Sequence, residues 1–180
     1  DQYMLEFGNL YMRVIRNDAY VTDAVKTISN GTATKANPVV ITSSSHPFVS
    51  TDEVVISGMT EMTELNGNRY NITKINANTF SLQSQADNTN IDGTGFGAVE
   101  STGGTVKAIY TIATTYATAD LDELKYTQSA DTMTLTHSSY PARDLVRTNH
   151  NAWTIADVSF VPAIADPTAV TVTVNGADNN

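Results

Sequence analysis

A chain of 180 residues, 41% hydrophobic and 16% charged, is long enough for one ordinary domain or two small ones and holds enough apolar material for a buried core, which excludes a disordered chain. Cysteine is absent, which excludes a disulfide scaffold, a cysteine-ligated zinc and a thiol nucleophile, and no apolar run approaches the roughly 20 residues that cross a bilayer. Nineteen acidic against ten basic residues give a net charge of −9, which argues against a phosphate-binding surface and against docking on anionic lipid; Thr, Ser and Asn carry the polarity instead.

Residues 3–7 and 10–16 read as two strands around Gly8-Asn9, a joint of hairpin chemistry because both residues tolerate positive φ. The pattern weakens from Asn17 to Lys35, with a turn expected at Ser29-Asn30-Gly31. Segments 39–42, 53–57, 69–75, 79–82 and 105–110 then arrive at short intervals. They are β-branched and separated by turn residues, as in a small barrel or sandwich.

One segment, 118–124, reads as a short helix, with Thr118 as its N-cap and Asp120, Asp122 and Glu123 set against the dipole. Strands follow at 125–129 and 132–137 about a turn at Ala130-Asp131. A third runs through 144–147 after Pro141, and a polar turn at 148–151 leads into the last, from Trp153 through Phe160. This is a four-stranded antiparallel meander, which serves equally as a propeller blade or as one sheet of a sandwich. Pro162, Asp166 and Pro167 mark a linker, and the alternating segment 169–174 before Asn175-Gly176 reads as the start of a further β module in a longer polypeptide.

The expected fold is therefore all-β: an antiparallel propeller-like or sandwich body, an inserted small β-barrel and one short helix. Its parts are 1–37 and 108–162 for the body, 38–107 for the insert, and 163–180 for the linker and next module.

Few residues offer chemistry. His46, His137 and His150 fall in a turn, a strand end and a polar loop, without the spacing that puts two ligands on one face, so His46 reads as closing its turn. Counted from Asn88, oxygen-bearing side chains occupy the first, third and fifth positions and Gly93 the sixth, as in a calcium loop. The twelfth is Val99, with Glu100 one residue late, so an exposed Asn/Gly loop is the reading. Glu61 and Glu64 flank a turn and could be paired acids for glycoside hydrolysis, as could Asp120, Asp122 and Glu123, which fit dipole compensation better. Thr94-Gly95-Phe96-Gly97 follows no strand and opens no helix, so it is no phosphate cradle. Trp153 could stack on a sugar or base but reads as a sheet anchor, and Arg143 and Arg147, two residues either side of Leu145, share one strand face. No catalytic, cofactor or metal residue is assigned.

Two stretches resemble known families. Residues 38–82, with Ser45-His46-Pro47-Phe48, the strand Val54-Val55-Ile56, Gly58-Met59, Leu65-Asn66-Gly67 and Thr79-Phe80-Ser81, resemble the first catalytic cysteine half-domain of ubiquitin-activating enzymes. In that family the module is a small inserted β-barrel without the thioester cysteine, and the same pattern also occurs in tail proteins of bacterial viruses. The flanks, Tyr3-Met4-Leu5-Glu6-Phe7-Gly8 with Tyr11-Met12-Arg13-Val14 before it and Tyr126-Thr127-Gln128-Ser129-Ala130-Asp131-Thr132-Met133, His137, Tyr140-Pro141, Trp153 and Phe160 after it, resemble the phage tail nozzle (tail tubular protein B-like) family. That resemblance implies a non-enzymatic virion component forming a homo-oligomeric, hexameric ring that extends the tail channel. Its partners would be adaptor and fibre proteins, with DNA passing through during ejection and no cofactor. The alternative is a tail fibre or appendage whose insert binds a host-surface receptor or glycan.

Overall fold

The computed structural model describes residues 2–29, 33–100 and 103–159. The turn expected at Asn30-Gly31, the end of the last strand at Phe160 and the module expected over 163–180 lie outside these residues. The protein is all-β, and every strand pairing is antiparallel.

Strands β1 (Met4–Gly8) and β2 (Tyr11–Arg16) form the first hairpin, in register from Met4 opposite Ile15 to Gly8 opposite Tyr11. The positive φ falls on Leu10, at 64°, rather than on Gly8 or Asn9. Tertiary hydrogen bonds hold Leu10 there: its N–H donates to Tyr116 O at 2.8 Å and its carbonyl accepts from Thr114 N at 2.9 Å. A tight turn at Asn17 (φ 51°) and Asp18 (φ 60°) then leads into β3 (Ala19–Tyr20), which pairs back on β2. Two successive positive φ values match a type I′ turn, whose twist suits a hairpin and whose residues favour Asn and Asp.

The chain next enters the inserted unit. Strands β4 (Lys26–Thr27), β5 (Val40–Thr42), β6 (Glu53–Ser57), β7 (Arg69–Lys74), β8 (Thr79–Gln83) and β9 (Thr105–Ala108) form one curled sheet in the order β4-β9-β6-β7-β8-β5. The expected barrel is a half-barrel: no ladder joins the edge strands. Among the described residues the seam is bridged instead by Ser29 N to Thr42 O at 3.0 Å, the Ser43 hydroxyl to Thr27 O at 2.8 Å, the Lys26 ammonium to Ser45 O at 3.4 Å and a single bridge between Ala33 and Ile41. The unit also starts before residue 38, because β4 pairs with β9 and Ile28 and Ala33 lie in the same core. Sixteen buried side chains fill that core, among them Phe48, Phe80, Met62, Ile56, Ile72 and Leu82.

The exit strand runs beside the entry strand. Thr22 bridges to Ile109, Tyr110 N donates to Val21 O at 2.9 Å, and Asp23 N donates to Ala108 O at 2.9 Å. Strand β10 (Thr111–Ala113) then returns to β2, opposite Tyr11 to Arg13, and completes the first sheet of the body.

The segment expected to be a helix is a 3-10 turn over Thr118–Glu123, and a shorter one spans Thr63–Leu65. Its bonds span three residues, Asp120 N to Ala117 O and Leu124 N to Leu121 O, as suits a piece too short to repay α-helix nucleation. Ala117, not Thr118, is the N-cap; its N–H donates to the Asp120 carboxylate at 2.9 Å. The meander follows as β11 (Lys125–Ser129), β12 (Thr132–His137), β13 (Tyr140–Asn149) and β14 (Ala152–Asp157), paired in that order. Pro141 is inside β13, at the irregularity between Leu135 and His137 where no ladder donor is needed.

The two body sheets face each other as a sandwich. Met12 and Val14 of one meet Leu135 and Leu145 of the other, with Tyr116 between, and Leu5, Phe7, Ile112, Met133, Trp153 and Ile155 pack around them. The alternate positions of the meander, Thr132, Thr134, Thr136 and Thr154, point to the other side and give that face its threonines.

Candidate functional site

The sequence candidates are mostly consumed by the fold. His46 is buried, its ring stacked on Phe48 at 5.2 Å and edge-on to Phe80 at 5.1 Å, and burial holds its pKa below the usual 6.5. It is a core histidine. His137 accepts from Ser139 N at Nδ1 (3.0 Å), which leaves its proton on Nε2, 3.8 Å from Glu123. Nδ1 of His150 is 2.5 Å from the Tyr3 hydroxyl.

The calcium-like loop spends its oxygens locally. Asp87 accepts from the hydroxyl and N–H of Thr89, Asp92 does the same with Thr94, and both carboxyls are held below their usual range, the threonine hydroxyl being the largest cause in each. Asn88 accepts from Asn71. Glu100 is fully buried, and its carboxylate takes the N–H groups of Thr60, Glu61 and Met62 at 2.8, 2.9 and 3.2 Å and the Thr60 hydroxyl at 2.8 Å. It is the internal anion of a backbone cradle, a role invisible in the loop count. Among the described residues no three His, Asp or Glu side chains converge as metal ligands.

Glu64 accepts from Gly97 N at 3.0 Å, and Gly97 is glycine because a Cβ there would lie 2.0 Å from the Glu61 carbonyl oxygen. Asp120 accepts from the Tyr140 hydroxyl at 2.8 Å, which, with the Ala117 N–H, holds its carboxyl below the usual range. Arg143 and Arg147 do share a face, but each is paired within the chain, with Asp157 and Asp131 respectively.

Two arrangements were not legible in the sequence. The first is the joint between half-barrel and body. Glu53, whose side chain is 3% exposed, lies between Arg13 of the body at 2.7 Å and Arg69 of the half-barrel at 2.9 Å. The Arg13 guanidinium stands 4.6 Å from the Tyr11 ring centre, and that of Arg69 4.9 Å from Tyr20. The Tyr20 hydroxyl donates to Glu6, a bond that is the main cause of its raised pKa. A carboxylate shared by two guanidiniums, each against a ring, fixes the approach of the two units while leaving the charges compensated.

The second is a groove of about 840 Å³ at one end of the sandwich, between the tips of the β2–β3 and β11–β12 hairpins. Trp153 and Tyr3 form its aromatic wall, edge to face at 5.5 Å. The indole N–H donates to His150 O at 3.0 Å, and the Trp153 backbone N–H donates to the Tyr110 hydroxyl at 2.8 Å, so the ring is fixed. Arg147 is held by Asp131 and stacks 5.1 Å from the Tyr3 ring centre.

No protein-family model matches this chain, and no curated protein matches it in sequence.

Proposed function

We propose that this protein is a structural component of a phage tail, of the nozzle type, which works by symmetric association around a DNA channel. The observation that carries the reading is the joint: a half-barrel set into a β sandwich on two adjacent crossing strands and locked by the Arg13–Glu53–Arg69 pairs. Such a joint suits a part that presents its insert in one fixed orientation, as repeated subunits of a ring must. Among the residues with possible chemistry, His46 is committed to a core, Glu100 to a backbone cradle and Asp120 to a cap. The net charge of −9 supports a lumen that DNA passes without adhering, if that charge lines the channel.

The test is electron microscopy of the full-length protein and of virions labelled for it. A closed ring, hexameric by resemblance, at the tail is the expected result. A trimeric appendage would favour the fibre alternative, and a monomer absent from virions overturns the proposal.

A further inference from the structure

The groove at the open end of the sandwich goes beyond an architectural role. Its floor is apolar, from Leu5, Ile15 and Leu145, and its rim carries the amides Asn17 and Gln128. Two guanidiniums, Arg16 and Arg147, and two carboxylates, Asp18 and Asp131, line it, so its formal charge is zero. Asn17 and Asp18 sit at the tip of the tight turn, and Ala130, at φ 52°, turns the opposite hairpin. The volume falls within the range of small-ligand sites.

Three chemistries fit this lining poorly. An ionic ligand would bring a charge into a groove whose formal charge is zero and where Arg147 is already paired with Asp131. A wholly apolar ligand would strip water from the amides of Gln2, Asn17 and Gln128 and from the Arg147–Asp131 pair without replacing their hydrogen bonds. A phosphate backbone is opposed by the charge of the chain. A molecule with apolar C–H faces and many neutral hydroxyls matches both parts, the rings for its faces and the amides and carboxylates for its hydroxyls. We propose that the groove binds a neutral oligosaccharide. This does not rest on the tail reading, since a ring that binds no sugar and a sugar binder outside any virion are separately measurable.

The chain has one tryptophan, and it is in the groove wall, so intrinsic fluorescence reports on the groove directly. The full chain is titrated with a panel of neutral hexose oligosaccharides, with sialylated and sulfated oligosaccharides as charged controls. The expected result is a saturable change in emission with at least one neutral member. Asn17→Gly, which keeps the positive φ of the turn, and Gln128→Ala should each weaken it about tenfold, the scale of one lost hydrogen bond, with circular dichroism unchanged. No saturable change with any neutral sugar overturns the proposal. So does saturation by charged members only, affinity untouched by both rim variants, or emission that shifts with protein concentration alone, which would make the occupant a second copy.

Discussion

The half-barrel and the sandwich body are built from similar strands and differ in how they close. Among the described residues the half-barrel has sixteen buried core residues, its seam is bridged by backbone and side-chain bonds, and of its two buried carboxylates Glu100 is satisfied from within while Glu53 is shared with the body. Among the described residues the body buries five core residues fully, surrounds them with half-buried aromatics and aliphatics, and leaves one end of its two sheets open as a groove. Interior volume sealed on all sides is spent on stability, while surface left between two sheets is available to something else. The contrast makes the insert the better sealed of the two units and leaves the groove of the body as its open surface.

The sharpest way to break this contrast is to empty both cores. Phe80→Ala removes a fully buried ring that touches His46 and Phe48, and should cost the half-barrel about 3–5 kcal/mol by denaturant unfolding. Leu145→Ala in the body should cost nearer 2 kcal/mol, because its half-buried neighbours beside the groove can relax into the space. Equal costs would show the two cores to be equally sealed.

The joint should respond next. Glu53→Gln leaves two guanidiniums without their shared counter-charge and should cost about 3 kcal/mol. Double-mutant cycles should give Arg13–Glu53 a coupling of about 1–3 kcal/mol and Arg69–Glu53 less, since the Arg69 side chain is 37% exposed against 15% for Arg13. If neither pair couples, the two units are oriented by their crossing strands alone.

A smaller effect separates the units by pH. Burial lowers the pKa of His46 in the fold, so the unfolded chain binds the proton more readily. The stability it contributes is whole above about pH 6.5 and drains away as pH falls through the lowered folded value. Melting of the half-barrel followed from neutral to mildly acidic pH should show this loss, and His46→Leu should flatten it. A slope unchanged in that variant would assign the titration elsewhere.

These residues also show what a sequence can reveal. Strand β6 (Glu53–Ser57) and strand β12 (Thr132–His137) were legible to the residue, because alternation and β-branching act within five or six positions. Strands β3 and β4, two residues each, carry no period, so the sequence pattern puts the unit boundary at 38, whereas Ile28 and Ala33 already belong to its core. The joint lay out of reach for another reason: Arg13, Glu53 and Arg69 meet only because a half-barrel is set into a sandwich, and nothing local marks any of them. The groove likewise exists only between two hairpin tips far apart in the chain.

Leu10 supplies the finest test, because there the fold overrides local preference. A leucine at φ 64° is in the left-handed region, which costs an L-residue with a Cβ roughly 1–2 kcal/mol, yet the side chain is 49% exposed and gains little from packing. The conformation is imposed by the bonds to Tyr116 O and from Thr114 N, which tie the first hairpin to the strand leaving the half-barrel. Those bonds use backbone atoms only and survive any side chain. Leu10→Asn, which tolerates the left-handed region, should therefore raise stability by a few tenths to about 1 kcal/mol, read as a higher denaturation midpoint at unchanged m. A loss of stability would mean that the exposed leucine earns its place through apolar contact, and that the body is better sealed at this end than at the groove.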